Sequence, residues 1–210
     1  MKRFPNGAYP TLLFSCAMLI SVGCAKSASN AAPGPVPPFN SFFAKGADVS
    51  WVTEMESKGI AFHDAGGNAG DCLSILKGLG LNAVRLRVWV NPADGWCNTA
   101  DVVRKALRAK ALGIKLLIDF HYSDWWADPG KQNKPAAWAN QDFGSLKQSV
   151  VDHTTSVLAA LRSNGIVPEW VQVGNETNDG MLWPDGRASI SMKNFADLID
   201  AGYNAVKSLD

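Results

Sequence analysis

The feature that most limits how this chain can fold is a repeated order of strand-like and helical runs beginning at Phe42. Ala44–Val49, Ala83–Val90, Ile114–Phe120 and Trp170–Gly174 are short apolar runs, the second rich in β-branched residues. Apolar residues between them recur at helical spacing. Leu73, Leu76 and Leu79 share one such face, with Asn68 as the expected cap and Gly80 as the stop. A second helix is expected from about Ala100 to Leu112, ended by Gly113. Ser145–Asn164, ended by Gly165, places Leu146, Val150, Val157, Leu158 and Leu161 on one face. Met192–Leu209 does the same with Phe195, Leu198, Ile199, Val206 and Leu209, although Gly202 on that face weakens it. Four strand-then-helix units in succession predict a parallel sheet with helices outside it.

A doubly wound sheet and a (β/α)₈ barrel both fit this alternation. The glycine-rich stretch Ala65–Gly70 lacks the dinucleotide-binding spacing and does not directly follow a strand, so it reads as a loop. The strand ends favour the barrel. In Ala83–Val90, Val84, Leu86 and Val88 alternate with Arg85, Arg87 and Trp89. With the aliphatic side against the helices, two guanidinium groups point into the barrel. There they need carboxylates or ligand oxygens; a polar site supplies them, and structural ion pairs are the plainer alternative. Asp119 and His121 fall on the face opposite Ile118 and Phe120. Polar groups gathered at the C-terminal ends of parallel strands are the mark of a barrel active site.

Composition narrows the function. Twenty Lys and Arg against 19 Asp and Glu leave a net charge of +1, with no electrostatic footprint for nucleic acid. Eight Trp suit either a core or a sugar cleft, where rings pack on the C–H faces of sugars. Residues 1–24 read as a signal peptide: Lys2 and Arg3 precede an apolar run from Leu12 to Gly23, and Ser21-Val22-Gly23-Cys24 resembles a lipobox. Lipidation of Cys24, giving an outer-membrane anchor, and ordinary cleavage both remain open, and both imply export to the periplasm, cell surface or medium. Residues 25–41 form a Pro/Ala-rich spacer, and residues 42–210 the folded domain. Cys72 and Cys97 fit a disulfide or two buried thiols. No Cys/His spacing indicates zinc.

The fourth strand ends Val171-Gln172-Val173-Gly174-Asn175-Glu176. Glycosidic cleavage needs a protonated carboxylic acid at the leaving oxygen and a second carboxylate below the ring, and an adjacent amide suits the 2-hydroxyl. Glu176 and Asn175 are therefore the candidate acid/base and its neighbour. Trp89, Trp125 and Trp126 are candidate sugar platforms, while Trp138 fits a loop anchor equally well. Asp48 is placed for a hydroxyl contact. Asp124 fits either a hydroxyl contact or a turn cap. His63 is expected in solvent and His153 in a structural role.

Several motifs, in order, resemble the arabinogalactan endo-β-1,4-galactanases of glycoside hydrolase family 53. They are Lys45-Gly46-Ala47-Asp48-Val49-Ser50, Val84-Arg85-Leu86-Arg87-Val88-Trp89, Asp119-Phe120-His121-Tyr122-Ser123-Asp124, Trp126-Ala127-Asp128-Pro129 and Gln172-Val173-Gly174-Asn175-Glu176-Thr177. The resemblance covers Phe42–Asp210 and implies a retaining, endo-acting (β/α)₈ enzyme that cleaves β-1,4-galactan, is monomeric and needs no cofactor. It implies Glu176 as acid/base, Asn175 beside it, and Arg85 and His121 lining the subsite of the cleaved sugar. It also places the nucleophile at the end of a seventh strand. This sequence, reaching only about four βα units, is then expected to be a partial reading frame that lacks the nucleophile and does not hydrolyse alone. The resemblance allows calcium only in a late loop of the C-terminal half. A metal-dependent barrel hydrolase would want a His-x-His on strand one, which holds no histidine. A lipid-anchored, non-catalytic polysaccharide-binding protein and another endo-glycanase of the same clan are the remaining alternatives.

Overall fold

Each expected strand forms, and all are parallel. The computed structural model describes residues 43–209; the expected signal peptide, Cys24 and spacer lie outside the described residues. The elements run β1 (Gly46–Asp48), α1 (Val52–Ser57), β2 (Phe62–His63), β3 (Ala69–Gly70), α2 (Cys72–Gly78), β4 (Ala83–Val88), α3 (Thr99–Ala111), β5 (Lys115–Phe120), α4 (Phe143–Ser163), β6 (Trp170–Val173) and α5 (Met192–Lys207). The sheet order is β1-β4-β5-β6. Its register aligns Asp48 with Arg85 and Leu117, and Arg87 with Asp119 and Gln172. These rows face inward. The alternate row, with Val84, Leu86, Val88, Leu116, Ile118 and Phe120, is buried under Val102, Ala106, Leu146, Val150, Val157 and Leu198 of the helices.

Two local expectations change. Asp71, not Asn68, caps α2, accepting from the Ser74 amide. A cap must immediately precede the first helical turn, and Asn68 is too early; it instead donates its side-chain amide to Asp64. That contact closes the β2–β3 hairpin, so Ala65–Gly70 is not a plain loop. Leu79, just past the end of α2, is exposed rather than packed. Cys72 and Cys97 are free, buried thiols.

A buried cluster ties the front of the sheet to α3. Lys105 pairs with Asp101 at 2.7 Å and donates to the Ser50 carbonyl. Asp101 also accepts from Thr53 Oγ1 and the Cys97 amide. Ser50 in turn donates its hydroxyl to Asp48 and accepts the Arg87 amide. Periodicity gave no hint of this cluster, because an Asp–Lys pair four residues apart reads as a solvated helix face.

Gly202 has a packing reason. A Cβ there would stand 2.5 Å from Val173 Cγ1 and 2.9 Å from the Tyr122 hydroxyl. The residue that weakens α5 as a helix is what lets it sit against β6. Gly202→Ala is therefore expected to lower the urea midpoint, the clash of about 1–3 kcal/mol outweighing the gain in helix propensity.

His153 on α4 is enclosed by the rings of Phe120, Tyr122 and Trp138, and its Nε2 has no hydrogen-bond partner. Burial pushes its pKa down to about 4, against a small opposing pull from Asp124. The unfolded chain therefore binds a proton near pH 6.5 that the folded chain refuses, and stability falls as pH drops from about 6.5 to about 4. The loss should total about 3 kcal/mol. His153→Phe should flatten that part of a stability–pH curve measured by urea unfolding.

Candidate active site

Loops leaving β4, β5 and β6 meet at one rim, and the backbone strain of the domain collects there. Cys97, Tyr122, Glu176 and Leu182 are the described non-glycine residues with positive φ, at 60°, 50°, 47° and 54°. All four lie in those loops. Such conformations cost about 1–3 kcal/mol each and persist only where the surroundings enforce them.

Arg85 is the centre of the site. Its Nη1 donates to Asp48 Oδ2 at 2.7 Å, and its Nη2 donates to Asn175 Oδ1 at 2.6 Å. Nη2 also lies 2.6 Å from Asp119 Oδ2, whose side chain is fully buried. This last contact is off the hydrogen-bond axis, as is the 3.0 Å contact of the same oxygen with His121 Nε2. Asp119 thus meets Arg85 as an ion pair and faces His121 Nε2 at 3.0 Å, neither contact being an aligned hydrogen bond. Burial pushes the Asp48 carboxyl up, but hydrogen bonds from Ser50 and the pull of Arg85 outweigh it and leave the pKa below the ordinary value. Carboxylates therefore meet the Arg85 guanidinium, and an amide beside Glu176 meets it too.

Arg87, the second inward guanidinium, is buried and stacks 4.1 Å from the ring centre of Trp126 and 4.8 Å from that of Trp89. Cation–π contact stands where carboxylates or ligand oxygens are expected.

Asn175 is buried and fully oriented. Its Nδ2 donates to the Ala127 carbonyl at 2.7 Å while its oxygen faces Arg85. Gln132, a buried residue no motif singled out, donates to the carbonyls of Asn175 and Glu176. Glu176 follows at the rim with an exposed side chain.

The other expected contacts sort differently. His121 is 1% exposed, and its Nδ1 accepts from Trp89 Nε1 at 3.3 Å and from the Ala127 amide at 3.2 Å. It braces the site from within rather than facing solvent. Trp89 is also buried, its ring centre 4.6 Å from that of Trp125, so its face is not open to a sugar. Trp125 and Trp126 are 53% and 40% exposed, and Trp125 presents the freer surface because Arg87 covers Trp126. Asp124 accepts the Asn91 and Ala136 amides, one on each oxygen, which is the turn-holding role. Trp138 is buried at its loop and His63 is exposed.

No second glutamate joins Glu176 among the described residues. Glu54 pairs with Lys58, Glu56 with Arg108, and Glu169 accepts the Leu116 amide near the start of β5. No group of three or more His, Cys, Asp or Glu suited to a metal ion occurs among the described residues.

Four parallel strands, a carboxylate just past the last of them and an Arg–Asn contact behind it now stand beside known proteins. The model for glycosyl hydrolase family 53 matches residues 44–210. The chain belongs to that family. An uncharacterised protein of Niallia circulans is 42% identical over 175 residues, covering 80% of this chain and 48% of that protein. An arabinogalactan endo-β-1,4-galactanase of Thermothelomyces thermophilus is 41% identical over 163 residues, covering 78% and 48%. The solved catalytic domain of a family 53 protein from Ignisphaera aggregans superposes with a TM-score of 0.77 at 41% identity, covering 84% of this chain and 51% of that one. The chain spans about half the length of the curated relatives it matches. The sheet is accordingly part of a (β/α)₈ barrel of this family, and the inward rows line its interior.

Breaking the central contact should be costly. Arg85→Met leaves Asp119 buried without its counter-charge and is expected to lower unfolding stability by about 3 kcal/mol. Adding Asp119→Asn should recover part of that loss in the same urea titration, since it removes the stranded charge.

Proposed function

We propose that these residues supply the acid/base half of a retaining, endo-acting glycoside hydrolase that cleaves β-1,4-galactosidic bonds in galactan or arabinogalactan. The observation that carries it is the position of Glu176 at the rim, directly after an Asn175 clamped between Arg85 and the Ala127 carbonyl. Galactan as substrate follows from the names of relatives such as the Thermothelomyces thermophilus enzyme.

Glu176 protonates the leaving oxygen, and the same carboxylate then takes the proton from the attacking water. Asn175 Nδ2 is held by Ala127, so a sugar hydroxyl in its reach meets an amide that cannot rotate freely. The exposed face of Trp125 is the candidate stacking surface. A retaining reaction needs a second carboxylate about 5–5.5 Å from the first, whose negative charge keeps the acid protonated by like-charge repulsion. No other described glutamate stands at that rim, so the 210 residues alone are proposed not to hydrolyse galactan. Export, with or without lipidation at Cys24, belongs to the same proposal, and the mass of the mature N-terminus reads it.

The test is a chimera in which residues 43–210 replace the matching half of the Thermothelomyces thermophilus relative. It should release reducing sugar from β-1,4-galactan, and Glu176→Gln should lower kcat by about 10²–10⁴-fold. Turnover unchanged in that variant would remove Glu176 from the mechanism. A chimera that folds, binds galactan and never cleaves it would favour the polysaccharide-binding alternative.

A further inference from the structure

We infer that Asp119 is a positioning residue on which the orientation of Asn175 and Trp89 depends, acting through His121 and Arg85. Its bearing on catalysis rests on the role proposed for Glu176, whereas the wiring itself does not. Five groups form a closed circuit: Asp119, His121, the Ala127 peptide, Asn175 and Arg85.

The direction of every hydrogen in that circuit is fixed by its neighbours. His121 Nδ1 receives two N–H donors, from Trp89 and Ala127, so it carries a lone pair. The single ring proton of a neutral imidazole must then sit on Nε2, which faces Asp119. Ala127 donates its amide to His121 and accepts from Asn175 Nδ2, which turns the Asn175 oxygen toward Arg85. Arg85 can only donate. Donors from both arms of the circuit therefore converge on one atom, Asp119 Oδ2. Asp119 is the only member that supplies a full negative charge.

The placement excludes direct contact with a substrate at this side chain, since it is fully buried. Its effect must travel through the residues it holds. One arm ends on Trp89, the ring beneath the exposed Trp125; the other ends on Asn175, the residue before Glu176. A single carboxylate on β5 thereby sets both the aromatic wall and the amide beside the acid. The sequence hides this because Asp119 lies two positions before His121 in the motif and looks like one more inward polar group.

The experiment is NMR on the whole 210-residue chain, without substrate. Long-range ¹H–¹⁵N spectra should show the His121 proton on Nε2. Hydrogen exchange is then followed at the Trp89 indole N–H and the Asn175 side-chain amide. Asp119→Ala should accelerate both about tenfold, the size expected when a buried polar contact loses its charged partner, while backbone amides of α4 such as Val157 keep their protection. Asp119→Asn keeps an oxygen where both donors converge and should restore part of the protection at both sites. A proton on Nδ1 in the unsubstituted chain would overturn the inference. So would a folded Asp119→Ala chain with unchanged exchange at Trp89 and Asn175. Should Asp119→Ala not fold, Asp119→Asn decides: a local rise at those two sites supports the wiring, and an equal rise across all core amides defeats it. Because no turnover is read, failure here is distinct from failure of the galactan chimera.

Discussion

Arg85 stands on β4 and touches residues from each of the other three strands or their exits: Asp48 on β1, Asp119 on β5 and Asn175 just past β6. In a parallel sheet the backbone ladder fixes only neighbouring strands relative to each other. The guanidinium adds a link at the rim that reaches across β5 to the loop beyond β6. Its planar fork allows this, since two separate amino groups donate in fixed directions. The geometry that makes position 176 a candidate acid depends on that link.

Around it the rim is held in two layers. Toward β1, the Lys105–Asp101 pair secures Ser50, and Ser50 fixes the oxygen of Asp48 that Arg85 does not use. Toward β6, Gln132 and the Ala127 peptide hold the backbone and side chain of the Asn175–Glu176 pair. Gln132, bonded to the Glu176 carbonyl, braces the left-handed backbone at that residue. Trp125 and Glu176 project outward, while Trp89 and His121 are enclosed by the protein.

Much of the architecture was legible in residue order. Strand-then-helix repetition located all four sheet strands, and the inward alternation in Val84–Trp89 put Arg85 and Arg87 on the correct face. What stayed hidden depended on contacts between distant segments. Gln132 sits in a loop with no periodicity, and only the fold brings it to Asn175. The Asp101–Lys105 pair looks solvated until α3 is laid against β1. Trp89 reads as a sugar platform because alternation reports a face, not whether Trp125 covers it. The resemblance implies a subsite-lining His121, but a motif does not report that the ring is enclosed and that Nδ1 is already occupied by Trp89 and Ala127. Asn68 and Asp71 differ by only a small offset in cap position, where boundaries from pattern are weakest.

The link between Arg85 and the residue before Glu176 is most directly tested by a double-mutant cycle in this chain. Arg85→Met, Asn175→Ala and their combination would be unfolded in urea and compared. The structure requires a coupling energy of about 1 kcal/mol or more, as for residues in one hydrogen-bonded network. Losses that simply add, within about 0.5 kcal/mol, would mean that Arg85 does not hold Asn175 and that the rim is organised by something else.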